Sequence, residues 1–206
     1  MKQLPDATRH LAEAEAEEVF GWILDGEASE EEIARFLLAM TERSETAEEI
    51  AGAARALRAR LIPVAAPEGA VDCCGTGGDG SNSFNISTTA GFVVAGAGAA
   101  VAKHGNRAAT GNSGSADMLE AAGVNIALTP AQVTETIDTV GIGFMFAPTH
   151  HGATRHAVGP RREIGVRTLF NLLGPLTNPA DAKYQLVGVF DHRWIRPIAG
   201  VFQNLG

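Results

Sequence analysis

A chain of 206 residues, 45% hydrophobic and 19% charged, can bury the core of one ordinary domain or of one domain with a small helical annex, which excludes a disordered chain. Its formal charge of −8 at pH 7 argues against a non-specific nucleic-acid binder, which presents a basic face, so an anionic ligand must be held by local groups. No apolar run reaches membrane-spanning length and the start, Met1-Lys2-Gln3-Leu4-Pro5-Asp6, lacks the basic-then-apolar order of a secretory signal; both predict a cytoplasmic protein with no membrane partner.

Two textures meet near Pro63 to Gly69. The first is helical: a helix from about Thr8 to Leu24, a second opened by the pair Ser29 and Glu32, and a third opened by Thr46 and Glu49 and running to about Arg60. In the second, Ile33, Phe36, Leu37 and Met40 repeat at the spacing of one buried face. Glu13, Glu15, Glu17 and Glu18 read as a solvated face.

Beyond residue 69, AVDCC, AAVAKHG, GVNIAL, IGFMFAP and YQLVGVF are expected strands. Helices are expected over about Ser87 to Ala97 and Ser115 to Ala122, then after the Thr129 cap with Pro130 at the first helical position, and again over the last residues before Gly206. This alternation predicts an α/β fold: a small N-terminal helical domain, then a mostly parallel sheet flanked by helices. The neighbours Cys73 and Cys74 point to opposite faces of a strand and form neither a disulfide framework nor a metal set.

In such a sheet, ligands lie outside the carboxyl ends of the strands. DCCGTGGDGSNSFNIST, residues 72 to 88, is a loop of that kind: Gly75, Gly77, Gly78 and Gly80 let backbone N–H groups crowd round an anion, and the next helix adds the positive end of its dipole. Asp79 suits a ribose hydroxyl, loop N–H groups or a metal bridging to phosphate. KHGNRAATGNSGSAD, residues 103 to 117, repeats the chemistry with Lys103, Arg107, Ser113 and Ser115. The histidines of FAPTHHGATRH, residues 146 to 156, lack a cysteine or carboxylate at suitable spacing and read as a channel or surface loop rather than a metal site.

Five ordered motifs, GTGGD, NIST, KHGNR, SGSAD and RTLFNLLGPLTNP, resemble those of the anthranilate phosphoribosyltransferase family, over the whole chain. The resemblance implies the class III phosphoribosyltransferase and nucleoside phosphorylase-like fold, with a helical domain at 1–66 that mediates homodimers and an α/β domain at 67–206. It implies transfer of phosphoribosyl from phosphoribosyl pyrophosphate (PRPP) to anthranilate in tryptophan biosynthesis, assisted by Mg²⁺, usually two ions per site.

By motif match, PRPP contacts fall to Gly75, Gly78, Asp79, Ser83, Asn85, Ile86, Ser87 and Thr88. They continue over Lys103, His104, Gly105, Asn106, Arg107, Ala108, Ala109, Thr110 and Gly111, with Ser115. Anthranilate falls to Gly75, Asn106 and Arg161, Mg²⁺ to the Ser87 hydroxyl, and no acid or base is assigned. Family members continue well past residue 206 and carry there an adjacent Asp-Glu pair, absent from this sequence, so a C-terminally truncated form is expected. A pyrimidine nucleoside phosphorylase and a non-catalytic nucleic-acid-binding relative of the same fold are the alternatives.

Overall fold

The computed structural model describes residues 1–80, 84–108 and 113–206. Two compact units divide the chain: residues 1–61, 151–176 and 193–206 form one, and residues 62–150 and 177–192 the other. The expected division between residues 66 and 67 is a single cut, whereas the chain passes back into the helical unit twice.

The helical unit contains α1 (Glu13–Leu24), α2 (Glu30–Arg43) and α3 (Ala47–Arg58). The expected second and third helices start where their caps stand, because the Ser29 and Thr46 side chains accept the N–H of Glu32 and Glu49. The first starts five residues later than expected. Residues before it are held otherwise: Asp6 accepts the N–H of Thr8 at 2.9 Å and Glu49 Oε1 that of Leu11 at 2.8 Å. Glu13 and Glu15 are not simply solvated; they pair with Arg55 and Arg9. Phe20, Ile33, Leu37, Met40, Ile50 and Leu169 are fully buried in this unit. Phe20 packs edge-on against Phe36, with ring centroids 6.1 Å apart.

The sheet unit holds four strands: β1 (Val71–Gly75), β2 (Val101–Gly105), β3 (Ile142–Phe146) and β4 (Tyr184–Gly188). All pairs are parallel, in the order β3-β2-β1-β4. Between them run α4 (Ile86–Gly96), α5 (Ser115–Ala121) and α6 (Pro130–Val140), the last with the expected Thr129 cap and proline start. One core cluster joins Ala102, Val133, Ile137 and Met145; another joins Ala116, Leu119, Ile126 and Phe144.

GVNIAL is a correction, since residues 123–128 form no strand. Val124 N–H closes the end of α5 on Leu119 O, Asn125 Oδ1 accepts the Ala127 N–H, and Ile126 is buried against Leu119 and Phe144. The segment buries Ile126 against one core cluster and packs Leu128 partly against the other instead of adding an edge. FAPTHHGATRH is likewise not a loop: it supplies the end of β3, then α7 (Ala147–His150) and the start of α8 (Arg155–Ile164). The chain closes with α9 (Ile195–Leu205), where Ile198 and Val201 are buried. Among the described residues no helix is long and apolar enough to cross a membrane.

Candidate active site

From β1 the chain moves to β2 and then β3 on one side, while β4 lies on the other, so the strand order reverses beside β1. Open α/β sheets bind ligands in the crevice at such a reversal, outside the carboxyl ends of the strands. The GTGGD loop leaves β1 there. Gly75 sits in register with Gly188, and a Cβ on Gly75 would lie 3.0 Å from Gly188 O. Thr76 ties the two strand ends together, donating its N–H to Gly188 O and accepting that of Phe190, both at 2.9 Å. Gly77, Gly78 and Gly80 have φ of 64°, 71° and 71°, as the expected backbone turn requires.

The loop feeds the start of α4. Asn85 caps it, with Oδ1 3.1 Å from Thr88 N. Thr88 is buried and its Oγ1 has no hydrogen-bond partner. A buried hydroxyl without a partner loses its hydration for nothing in return, so this one is suited to a guest. Ser87 stands beside it, half-buried. Gly78, Asp79, Ile86 and Ser87 thus share one short stretch with this helix start; Ser83 lies outside the described residues.

The second loop is organised by an acid that motif matching left without a role. Asp117 Oδ2 accepts the N–H of Ala108 at 2.9 Å and of Gly114 at 2.8 Å, and Oδ1 takes Arg107 Nη1 at 2.9 Å. The Ala108 amide, then the Gly114 amide and Arg107 hold its carboxyl down to about 2. Arg107, bound also by Glu120, has its guanidinium raised further above its ordinary value by Glu120 first and Asp117 second. Ser115 Oγ donates to Asn106 O at 3.2 Å, and Gly105 is packed so closely that a Cβ would lie 2.3 Å from that Oγ. Ala109, Thr110 and Gly111 lie outside the described residues.

Lys103 and His104 are buried, not displayed in the loop. Lys103 Nζ donates to Cys73 O, and His104 N–H donates to Asp72 Oδ1 at 3.1 Å. Arg161, on α8, belongs to the helical unit. Its guanidinium lies 5.3 Å from the Phe170 ring centre, has no carboxylate partner among the described residues, and is lowered from its ordinary value by burial. A half-buried cation without a counter-ion is suited to a carboxylate ligand.

The family described as "Glycosyl transferase family, helical bundle domain" matches residues 2–61, and "Glycosyl transferase family, a/b domain" matches residues 67–206. The chain belongs to this glycosyl transferase family. Among its relatives, the anthranilate phosphoribosyltransferase of Erythrobacter litoralis is 64% identical over 189 residues, 92% of this chain and 57% of the relative. That of Methylococcus capsulatus is 56% identical over 97% of this chain and 59% of the relative. Among solved structures, the anthranilate phosphoribosyltransferase of Thermus thermophilus superposes with a TM-score of 0.94 at 46% identity, covering all of this chain and 64% of that one. The Saccharomyces cerevisiae enzyme in complex with PRPP and Mg gives 0.88 at 28% identity, over 98% of this chain and 61% of that one. The chain therefore spans somewhat more than half the length of the relatives it matches. The glycosyl transferase family fold agrees with the helical region and the parallel, helix-flanked sheet expected from the sequence.

Proposed function

We propose that this chain carries the phosphoribosyl-donor site of an anthranilate phosphoribosyltransferase, which joins the amino nitrogen of anthranilate to C1 of PRPP and releases pyrophosphate. The observation that carries the reading is the buried, partnerless Thr88 hydroxyl at the capped start of α4, next to a run of positive-φ glycines. Backbone N–H groups and a helix dipole suit a pyrophosphate in a protein of net negative charge. The names of the relatives support the choice of anthranilate as acceptor.

The chemistry asks for positioning and charge stabilisation rather than an acid–base pair. As the C1–O bond breaks, positive charge gathers on the ribose ring and negative charge on the pyrophosphate, where fixed N–H donors act with no reorganisation. The N–C1 bond forms as the nitrogen enters behind C1, and its proton leaves to solvent; holding the two reactants in line supplies much of the acceleration. Arg161 binds the anthranilate carboxylate in this scheme; Gly75 and Asn106 are carried over from the motif match as acceptor-binding residues of the sheet unit.

Among the described residues no group of three or more His, Cys, Asp or Glu side chains could hold a metal alone. Mg²⁺ takes few protein ligands and fills the rest of its octahedron with phosphate and water oxygens. Ser87 Oγ, with Asp79 nearby in sequence, would hold such an ion. When bound, the ion neutralises the charge of the departing pyrophosphate. A cytoplasmic location and a homodimer formed through the helical unit belong to the same proposal.

The test follows anthranilate fluorescence on adding PRPP with Mg²⁺. Loss of signal that requires both supports the assignment. Phosphorolysis of thymidine or uridine without it would overturn the assignment in favour of a nucleoside phosphorylase.

A further inference from the structure

The main-chain ladder between β1 and β2 is short. β1 pairs with β4, and β2 with β3, over five residues each, whereas β1 and β2 are registered only at Val71 with Val101. Beyond that pair the two strands run on toward the two candidate loops, and side chains join them. Asp72, fully buried, accepts the His104 N–H on Oδ1. Its Oδ2 accepts Asn178 Nδ2 at 2.7 Å and Gln185 Nε2 at 3.4 Å. Asn178 Nδ2 also donates to Ala102 O at 3.0 Å, and Asn178 Oδ1 accepts the Ala180 N–H at 2.7 Å. Lys103 reaches back to Cys73 O, so each strand end is held by a side chain bound to the other.

Three donors converge on the Asp72 carboxyl, the pattern of an ionised acceptor rather than a neutral acid. Burial, the largest influence, raises its carboxyl above the ordinary value, against the opposing pull of Asn178, Lys103, His104 and Gln185. The Lys103 stem is also confined from above: a Cβ on Gly91 of α4 would lie 3.7 Å from Lys103 Cδ. The ammonium therefore stands in one place, at the base of the two loops that leave Gly75 and Gly105.

We propose that Asp72 and Asn178 are positioning residues for the anion site: they continue the join between β1 and β2 beyond the short ladder, fix Lys103 between the two strand ends, and so set the spacing of Gly75 and Gly105, from which the two loops leave. The proposal rests on the donor-site reading for its ligand, while the hold of this network on Lys103 can be tested without one. A fully satisfied buried polar network of this kind fixes geometry, the property a phosphate site needs.

The experiment titrates PRPP with Mg²⁺ calorimetrically into the 206-residue chain and into Asp72→Asn, Asn178→Ala, Lys103→Met and the double variant D72N/K103M. Thermal unfolding and Lys103 ¹³Cε relaxation by NMR accompany each. D72N, close in shape, is expected to weaken PRPP by about tenfold or more, and to weaken it no further once Lys103 is Met, because the effect passes through that cation. A structural role alone would instead lower the unfolding midpoint and leave affinity per folded molecule unchanged; that result overturns the proposal. If D72N proves unfolded, N178A carries the same comparison.

Should the unmodified chain bind no PRPP, the donor-site reading fails for this chain and the NMR arm decides the positioning claim. Held by Cys73 O at the strand end, the Lys103 Cε methylene is then expected to be rigid in the unmodified chain and clearly more mobile in D72N. Unchanged relaxation in a folded D72N chain would overturn the claim.

Discussion

Arg107 Nη1 lies 2.9 Å from Asp117 Oδ1, and the other oxygen of that carboxylate takes the backbone N–H groups of Ala108 and Gly114. One acid at the start of α5 thus fixes both flanks of the KHGNR to SGSAD loop. Asp117→Asn is expected to weaken PRPP by about tenfold, since one amide cannot accept from all three donors. Calorimetry checks this, and unchanged affinity would remove Asp117 from the account. The sign with pH follows from a depressed carboxyl: the Asp117 contribution is fully present above the ordinary Asp value and is lost only as pH falls through about 2.

Arg161→Ala is expected to raise KM for anthranilate well beyond any rise for PRPP, because the guanidinium has no carboxylate partner among the described residues to lose. Steady-state kinetics with each substrate varied in turn measure it. Equal rises would contradict its role.

Glu49 is fully buried, with Arg43 Nη1 and Nη2 3.0 and 2.5 Å from its oxygens. Burial opposes its ionisation, yet Arg43 and the Leu11 and Thr46 amides hold its carboxyl below the ordinary value. Glu49→Gln leaves Arg43 unpaired and should destabilise the helical unit by about 3 kcal/mol, measurable by urea unfolding at pH 7. In the unmodified chain this contribution is present above the ordinary Glu pKa and fades as pH falls through the lowered one.

Among the described residues β4 is an edge strand, with Tyr184 and Leu186 61% and 64% exposed. Such an edge invites pairing. The isolated chain is expected to associate as its concentration rises in sedimentation, and Leu186→Lys to reduce this. Concentration-independent monomers would contradict it.

Much of this was legible because local rules and tertiary structure agree. The Thr46 and Thr129 caps start their helices where the spacing of side-chain acceptors places them, and the apolar repeat from Ile33 to Met40 is the buried face of α2. GVNIAL misled because a short apolar run reads alike whether it pairs as a strand or plugs a gap, as Ile126 does. Helix α8 was missed because its glycine and Pro160 break the helical pattern, although it ends in a left-handed Gly165. At the site, the glycines and Asn85 could be read from their conformational demands. Asp72 and Asn178 could not, since 106 residues separate them and only the fold brings them to 2.7 Å.

The central claim turns on Thr88, whose buried hydroxyl has no hydrogen-bond partner among the described residues. Thr88→Val keeps its shape and removes that oxygen. Calorimetric titration of PRPP with Mg²⁺, paired with thermal unfolding, should find the variant as stable as the parent or more so, yet binding PRPP about tenfold more weakly. Undiminished PRPP affinity in a folded Thr88→Val chain would contradict the assignment of the α4 start as the donor site.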